Sequence, residues 1–237
     1  MIRIGGRGME AIGFDLGETL IAYKNIPLSW ECHYRKALIV IADQLRVASH
    51  KENLDVAEQI LMRYNTRVHP REHEVTDVEI FEELVQRWGL SEDHASRALE
   101  LFFSSFQQTC EVYADAFRVL KALRSKGIRV GILTDVPYGM NKLFVMRDIE
   151  PFRSFVDVIV TSVDAGFRKP RTEGFYQLAN GLGTEPSRMM YVGNERKDVE
   201  GANRAGMKSV CIDRNGGKPG WGQALTVSNL DEILDYL

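Results

Sequence analysis

Short apolar runs and longer amphipathic stretches divide this chain into three parts. Near the start, Glu10-Ala-Ile-Gly-Phe-Asp-Leu16 is a brief apolar run that closes on an acidic turn, and Gly17 breaks it. That is the pattern of a buried parallel strand. From about residue 28 to residue 110 the spacing is helical. Trp30, Tyr34, Leu38, Ile41 and Leu45 recur every three to four residues and fall on one helix face. Pro70 interrupts this region, Trp88-Gly89 ends a helix, and Ser91 is placed to cap the next one. No strand is predicted in this stretch. Beyond Tyr113 the pattern alternates. Helices are predicted over 114–126, 139–147, 172–182 and 197–205, and strands over 128–133, 156–160, 188–192 and 209–212.

Alternating short apolar strands and amphipathic helices imply a parallel sheet covered on both faces, with right-handed crossovers. The first strand stands alone ahead of the helical block. The simplest arrangement is therefore an α/β, Rossmann-like, doubly wound parallel sheet with an all-helical domain inserted after its first strand. The expected division is a core of residues 1–22 and 112–237 and a helical domain of residues 23–111.

Composition narrows the function classes. The 237 residues carry a formal net charge of −3, so no overall basic field would recruit nucleic acid or an anionic membrane. No apolar run reaches the ~18 residues of a membrane span. Cys32, Cys110 and Cys211 are far apart and form no CxxC pair, which suggests neither zinc nor a redox motif. Buried reduced thiols and a cytoplasmic setting are expected. The opening Met1-Ile-Arg-Ile-Gly-Gly-Arg-Gly8 has no apolar signal core; it is read as a disordered leader ahead of Met9 or as an overlong start.

Ligands of open α/β sheets bind beyond the carboxyl ends of the strands. Four such ends carry chemistry here: Asp15, Thr134-Asp135, Arg168-Lys169-Pro170 and Gly193-Asn194-Glu195-Arg196-Lys197-Asp198. A desolvated carboxylate can attack phosphorus or carbon. Carboxylate, carbonyl and amide oxygens suit Mg²⁺. A threonine hydroxyl can hold phosphoryl oxygens, and a lysine neutralises the gathered negative charge.

In order and spacing these segments resemble the four motifs of the haloacid dehalogenase superfamily. Phe14-Asp15-Leu16-Gly17-Glu18-Thr19-Leu20 is similar to its DxDxT motif, Ile132-Leu133-Thr134 to its second, Lys169-Pro170 to its third, and Gly193 to Asp198 to its GDxxxD motif. The resemblance implies a hydrolase, most simply a phosphatase of a small phosphorylated metabolite. Asp15 would be the nucleophile, with Thr134 and Lys169 binding phosphate. Mg²⁺ would be held by Asp15, the Gly17 carbonyl and Asn194, with Asp198 supporting through water. The helical insert would be the cap that selects the substrate. Monomer and homodimer both stay open.

Two positions depart from the family. Gly17 stands where its phosphatases carry an acid/base Asp, and Asn194 stands where they carry a ligating Asp. The first removes a contribution of typically about 10²–10⁴-fold. The second removes one negative charge from the cation site. Glu18, Asp135, His33 and Lys24 are candidate replacements for the missing acid, with helix capping as the plainer role for Asp135. Two other readings stay open: a metal-independent 2-haloacid dehalogenase-type hydrolase, and a catalytically silent binding or regulatory protein. His69 and His73 flank Pro70 and are read as a solvated loop rather than a metal pair; Trp30 and Tyr34 are read as helical-domain core. Gly216-Gly217-Lys218-Pro219-Gly220 is read as a surface turn, and Arg168 as either added site charge or a solvated group.

Overall fold

The computed structural model describes residues 8–107, 110–217 and 220–237. The leader reading for residues 1–7, and Lys218-Pro219 of the glycine-rich turn, lie outside the described residues.

The chain divides into two compact units. Unit 1 comprises residues 1–22, 112–135 and 149–237. Its centre is a six-stranded sheet built from β1 (Ala11–Phe14), β4 (Arg129–Thr134), β5 (Val158–Thr161), β6 (Met189–Gly193), β7 (Lys208–Ile212) and β8 (Leu225–Val227), in the order β5-β4-β1-β6-β7-β8. The named pairings are all parallel. β1 is wholly buried, as expected of a central parallel strand without alternation. The chain leaves β1 toward β4 and β5, then crosses to β6 on the other side. β1 is therefore the topological switch point, where strand-end loops part and leave a crevice. The edge strand β8 is absent from the sequence reading, since three residues carry too little pattern to stand out.

Two glycines bring a helix down onto this centre. Gly13 and Gly131 are register partners on β1 and β4. A Cβ on either would come within 2.7 or 2.6 Å of Leu178 side-chain atoms. The helix α8 (Glu173–Gly181), which carries Leu178, can therefore seat itself on the sheet at these positions. The helices α5 (Ala114–Ser125) and α9 (Arg196–Arg204) belong to the same unit.

Unit 2 comprises residues 23–111 and 136–148. Its long helices are α1 (Tyr34–Gln44), α2 (Lys51–Tyr64), α3 (Asp77–Arg87) and α4 (Ala95–Gln107). The α1 face predicted from Tyr34, Leu38 and Ile41 is buried, together with Ala37 and Ala42. Trp30 precedes the helix and is also buried, stacking on Phe106 at 4.1 Å between ring centroids. Phe81, Phe102 and Phe103 continue this aromatic interior. Thr76 begins α3 with a capping box. Gly89 takes a left-handed conformation (φ 74°) just past α3, as the helix stop predicts.

The boundaries differ from the sequence reading at one place. Residues 136–148, which pattern alone assigns to the core, belong to unit 2. Phe144 of α6 (Lys142–Asp148) packs on Phe103 at 4.9 Å, and Tyr138 lies 5.7 Å from Trp30. Gly139 adopts φ 62°, and a Cβ there would lie 2.1 Å from the Val75 carbonyl oxygen. The neighbouring Asn141 N–H donates to the buried Asp77 carboxylate at 2.8 Å. Short strands β2 (Ile21–Tyr23) and β3 (Cys110–Val112), also unanticipated, pair as a separate two-stranded sheet. Among the described residues, no helix is long and apolar enough to cross a membrane.

Candidate active site

Asp15 follows β1 directly, and its N–H donates to the Val192 carbonyl of β6 at 2.8 Å. The chain then turns tightly. Leu16 O accepts from the N–H groups of Thr19, Leu20 and Ile21 at 3.3, 2.9 and 3.1 Å. These bonds fix the Gly17 carbonyl beside the strand end. A Cβ on Gly17 would meet nothing within 4 Å, so glycine is no steric necessity there.

Lys169 joins the first, third and fourth of the predicted strand-end segments. Its Nζ donates to Asp15 Oδ1 at 2.5 Å, Asp198 Oδ1 at 2.6 Å and the Tyr191 hydroxyl at 3.2 Å. Its side chain is 1% exposed. Burial alone would lower the ammonium pKa, but the charges of Asp15 and Asp198 outweigh it and raise the pKa well above its ordinary value. Asp15 is shifted upward, first by burial and then by Asp198, with Lys169 opposing. One ammonium serving two carboxylates cannot neutralise both, and that imbalance marks the site as short of positive charge.

Asp198 is fully engaged. Oδ1 takes Lys169, and Oδ2 accepts the Glu195 N–H at 2.9 Å across the start of α9. Gly193 makes this approach feasible, because a Cβ there would lie 2.4 Å from Asp198 carbons. Thr134 ends β4 and is buried beside the β1 end.

Asn194 completes the arrangement. With its amide oxygen inward, it accepts from Thr19 Oγ1 at 3.2 Å. With its nitrogen inward, its two hydrogens have Gly17 O at 3.2 Å, Thr19 Oγ1 at 3.2 Å and Asp15 Oδ2 at 3.3 Å as acceptors within reach. The Asn194 side-chain amide thus lies beside the Gly17 carbonyl and the Asp15 carboxylate, at 3.2 and 3.3 Å. The donor set therefore fits a divalent cation in its chemistry. It is one carboxylate, one carbonyl and one amide, and among the described residues no group of three or more His, Cys, Asp or Glu forms a metal cluster.

The candidates for the missing acid are placed as follows. Glu18 sits in left-handed backbone (φ 58°) and accepts the Tyr113 hydroxyl at 2.9 Å. Asp135 accepts the Lys169 N–H at 3.0 Å and pairs with Lys197 Nζ at 2.9 Å. Burial opposes its ionisation, but Lys197, Lys169 and Arg168 prevail and hold its pKa at about 2. It is a fixed anion that orients Lys169, not a proton donor. Lys24 pairs with Glu111 at 3.3 Å, and His33 packs edge-on against Phe106; both belong to unit 2. His69 and His73 are exposed in a non-helical stretch. Arg168 is buried.

Sequence reasoning assigned no role to Tyr191 or Lys197, and none to Asp135 beyond capping or acid/base chemistry. Tyr191 is register partner to Gly13, and its hydroxyl donates to Leu133 O at 2.8 Å. A lone phenol in the apolar run Met189-Met-Tyr-Val-Gly193 was the available signal, because a buried Tyr hydroxyl needs a partner.

Comparisons with known proteins identify the family. The family model described as haloacid dehalogenase-like hydrolase matches residues 9–206. The chain belongs to that family and is a hydrolase. It is 26% identical over 234 residues to the glyceraldehyde 3-phosphate phosphatase of Methanopyrus kandleri, covering 96% of this chain and 92% of that one. Its fold resembles a HAD phosphatase from Thermococcus onnurineus, with TM-score 0.67, 23% identity and coverage of 96% and 97%. It equally resembles a 2-haloacid dehalogenase from Pseudomonas syringae, with TM-score 0.70, 17% identity and the same coverage.

Proposed function

We propose that this hydrolase is a divalent-cation-assisted phosphatase of a small phosphorylated metabolite, with Asp15 as nucleophile. The observation that carries the reading is Lys169 held between Asp15 and Asp198 beside the oxygens of Gly17 and Asn194. The relative named as a glyceraldehyde 3-phosphate phosphatase, matched over nearly its whole length, supports a phosphorylated substrate.

Asp15 would attack phosphorus, forming an aspartyl-phosphate as the bond from phosphorus to the leaving oxygen breaks. Thr134 and Lys169 would bind phosphoryl oxygens, and Lys169 would remain protonated throughout. Mg²⁺ on Asp15, the Gly17 carbonyl and Asn194 would offset charge on the transferring group. Asp198 would act by positioning Lys169, since both of its oxygens are committed. No acid stands at position 17, so the leaving oxygen would take its proton from solvent. Water would then attack the aspartyl-phosphate, releasing inorganic phosphate and restoring the carboxylate. The consequence is a preference for phosphates with acidic leaving groups.

One observation favours a second reading. With its nitrogen inward, Asn194 satisfies Asp15 and Gly17 with no cation, as a metal-independent hydrolase attacking carbon would require. A panel of phosphate esters and 2-haloacids, with Mg²⁺ or chelator, separates the two. Phosphate release that needs Mg²⁺ supports the first reading. Halide release insensitive to chelator replaces it with the second. No turnover of either class overturns both.

A further inference from the structure

We infer that Arg214 is a positioning residue for the proposed reaction: together with Tyr113 it fixes the far end of the turn that carries Asp15 and the Gly17 carbonyl. The inference deepens the phosphatase reading above and rests on it for its kinetic consequence. Every residue it uses belongs to unit 1.

The turn carries strain that outside contacts must offset. Glu18 occupies left-handed backbone at φ 58°, which costs a residue with a Cβ. Such a conformation persists where its surroundings over-determine it. Here they do so from two directions. Tyr113, which precedes α5, donates its backbone N–H to Leu20 O at 3.0 Å and its hydroxyl to Glu18 Oε2 at 2.9 Å. Arg214, two residues past β7, donates from Nη2 to Thr19 O at 2.9 Å. Three successive residues of the turn are thus tied to groups remote in sequence.

Arg214 is itself firmly held. Nη1 and Nη2 donate to the two oxygens of Asp115 at 2.8 and 3.1 Å, and the guanidinium lies 3.8 Å from the centre of the Tyr113 ring. The Leu230 N–H donates to Asp115 at 2.9 Å and anchors it in turn. The Arg214 side chain is 21% exposed and that of Asp115 8%, so water competes weakly for these bonds. A planar guanidinium serves carboxylate, carbonyl and ring at once, which a lysine ammonium cannot. Thr19 links this cluster to the chemistry. Its carbonyl takes Arg214, and its buried hydroxyl lies 3.2 Å from the Asn194 side chain. Gly17 stands two residues before it, so a Thr19 carbonyl set loose would carry the Gly17 carbonyl with it. Asp15 is anchored separately, through its N–H on the Val192 carbonyl. Loss of Arg214 would therefore disturb the placement of the Gly17 carbonyl relative to the Asp15 carboxylate.

The test compares wild type, Arg214→Met, Arg214→Lys and Tyr113→Phe, each as the full chain and well below its unfolding temperature. Steady-state kinetics use p-nitrophenyl phosphate with Mg²⁺, and amide hydrogen exchange is resolved by residue. Arg214→Met should lower kcat at least about tenfold and leave KM within about twofold, because Thr134 and Lys169 lie on other segments. Exchange at the Thr19, Leu20 and Ile21 amides should quicken while β4 and β6 keep their protection. Arg214→Lys should recover part of kcat, since it keeps the charge and loses the fork. Tyr113→Phe keeps the ring beside Arg214 and loses only the bond to Glu18, so kcat should fall less, by about two- to fivefold. Wild-type kcat in Arg214→Met overturns the inference, and so does exchange that quickens evenly across the sheet with kcat per folded molecule unchanged, the mark of a merely structural ion pair. Should Arg214→Met fail to fold, the other two variants decide, and wild-type kcat in both overturns the inference. Exchange is read without turnover, so the two readings fail separately. Phosphate release that Arg214→Met leaves intact sinks the positioning role alone. Local quickening in a protein that releases no phosphate even as wild type sinks the phosphatase reading, and the kinetic role with it.

Discussion

The two units are stabilised by different physics. Unit 2 holds its helices around rings, with Trp30, Phe81, Phe102, Phe103, Phe106 and Tyr138 in mutual contact. Unit 1 gathers charge at the ends of apolar strands, where Lys169 pairs with Asp15 and Asp198 and Lys197 pairs with Asp135. The burial of apolar surface that drives such packing is non-directional, and volume-conserving changes are tolerated best. A buried charge network tolerates little loss of its cation, because removing Lys169 would strand Asp15 and Asp198 in low dielectric. Chemistry therefore concentrates in unit 1, and substitutions should separate the units by which property they damage.

The largest expected effect breaks function without breaking the fold. Asp15→Asn should lower phosphate release by about 10⁴-fold or more while thermal unfolding changes little, checked by steady-state kinetics and calorimetry side by side. Retained turnover would remove Asp15 from the chemistry. Next, Gly17→Asp should raise phosphatase activity by about 10²–10⁴-fold on substrates with poor leaving groups, and by less on activated esters. A Cβ at Gly17 meets nothing within 4 Å, so with folding confirmed by calorimetry unchanged rates would count against the missing-acid argument.

Phe102→Ala tests the other unit. Phe102 is fully exposed to its neighbours' packing and fully hidden from water, at 0% exposure. Truncation should cost about 3–5 kcal/mol in denaturant unfolding. Mg²⁺ affinity of the folded protein should stay at the wild-type value, since no residue of the cation set lies in unit 2. A large loss of affinity would show that the two properties are not separable.

The smallest effect is electrostatic and lies in unit 1. Asp115 receives Arg214 on both oxygens, at 2.8 and 3.1 Å, and the Leu230 N–H at 2.9 Å. Burial raises its pKa, but these partners prevail and the net shift is downward. Its stabilising contribution is thus present above the unfolded-state value of about 3.9 and is lost as pH falls through the lower folded value. Asp115→Asn should cost about 1–3 kcal/mol at neutral pH, and the gap to wild type should narrow in acid. A gap that widens below pH 4 would reverse the assignment.

Much of unit 1 was readable because parallel strands and amphipathic helices advertise themselves over a handful of neighbours. Asp15, Thr134, Lys169 and the Asn194–Asp198 segment could be singled out by standing at strand ends. Their mutual distances could not, because Lys169 meets Asp15 across 154 residues of chain and Asp198 across 29. Tyr191 and Lys197 went unassigned because their roles come from sheet register and ion pairing rather than from pattern. Residues 136–148 were placed with the core because an amphipathic helix after a strand looks alike whichever partner it packs against.

By itself, then, the sequence determined the element types, their order and the residue kinds available for chemistry, since those depend on local periodicity and composition. The tertiary structure alone decided which side chains share a charge, which strand stands at the switch point, which unit takes residues 136–148, and that the Asn194 amide lies beside Asp15 and Gly17. Those properties depend on burial and on contacts far apart in the chain, where the free energy of a charge or an amide is set by neighbours no local pattern names.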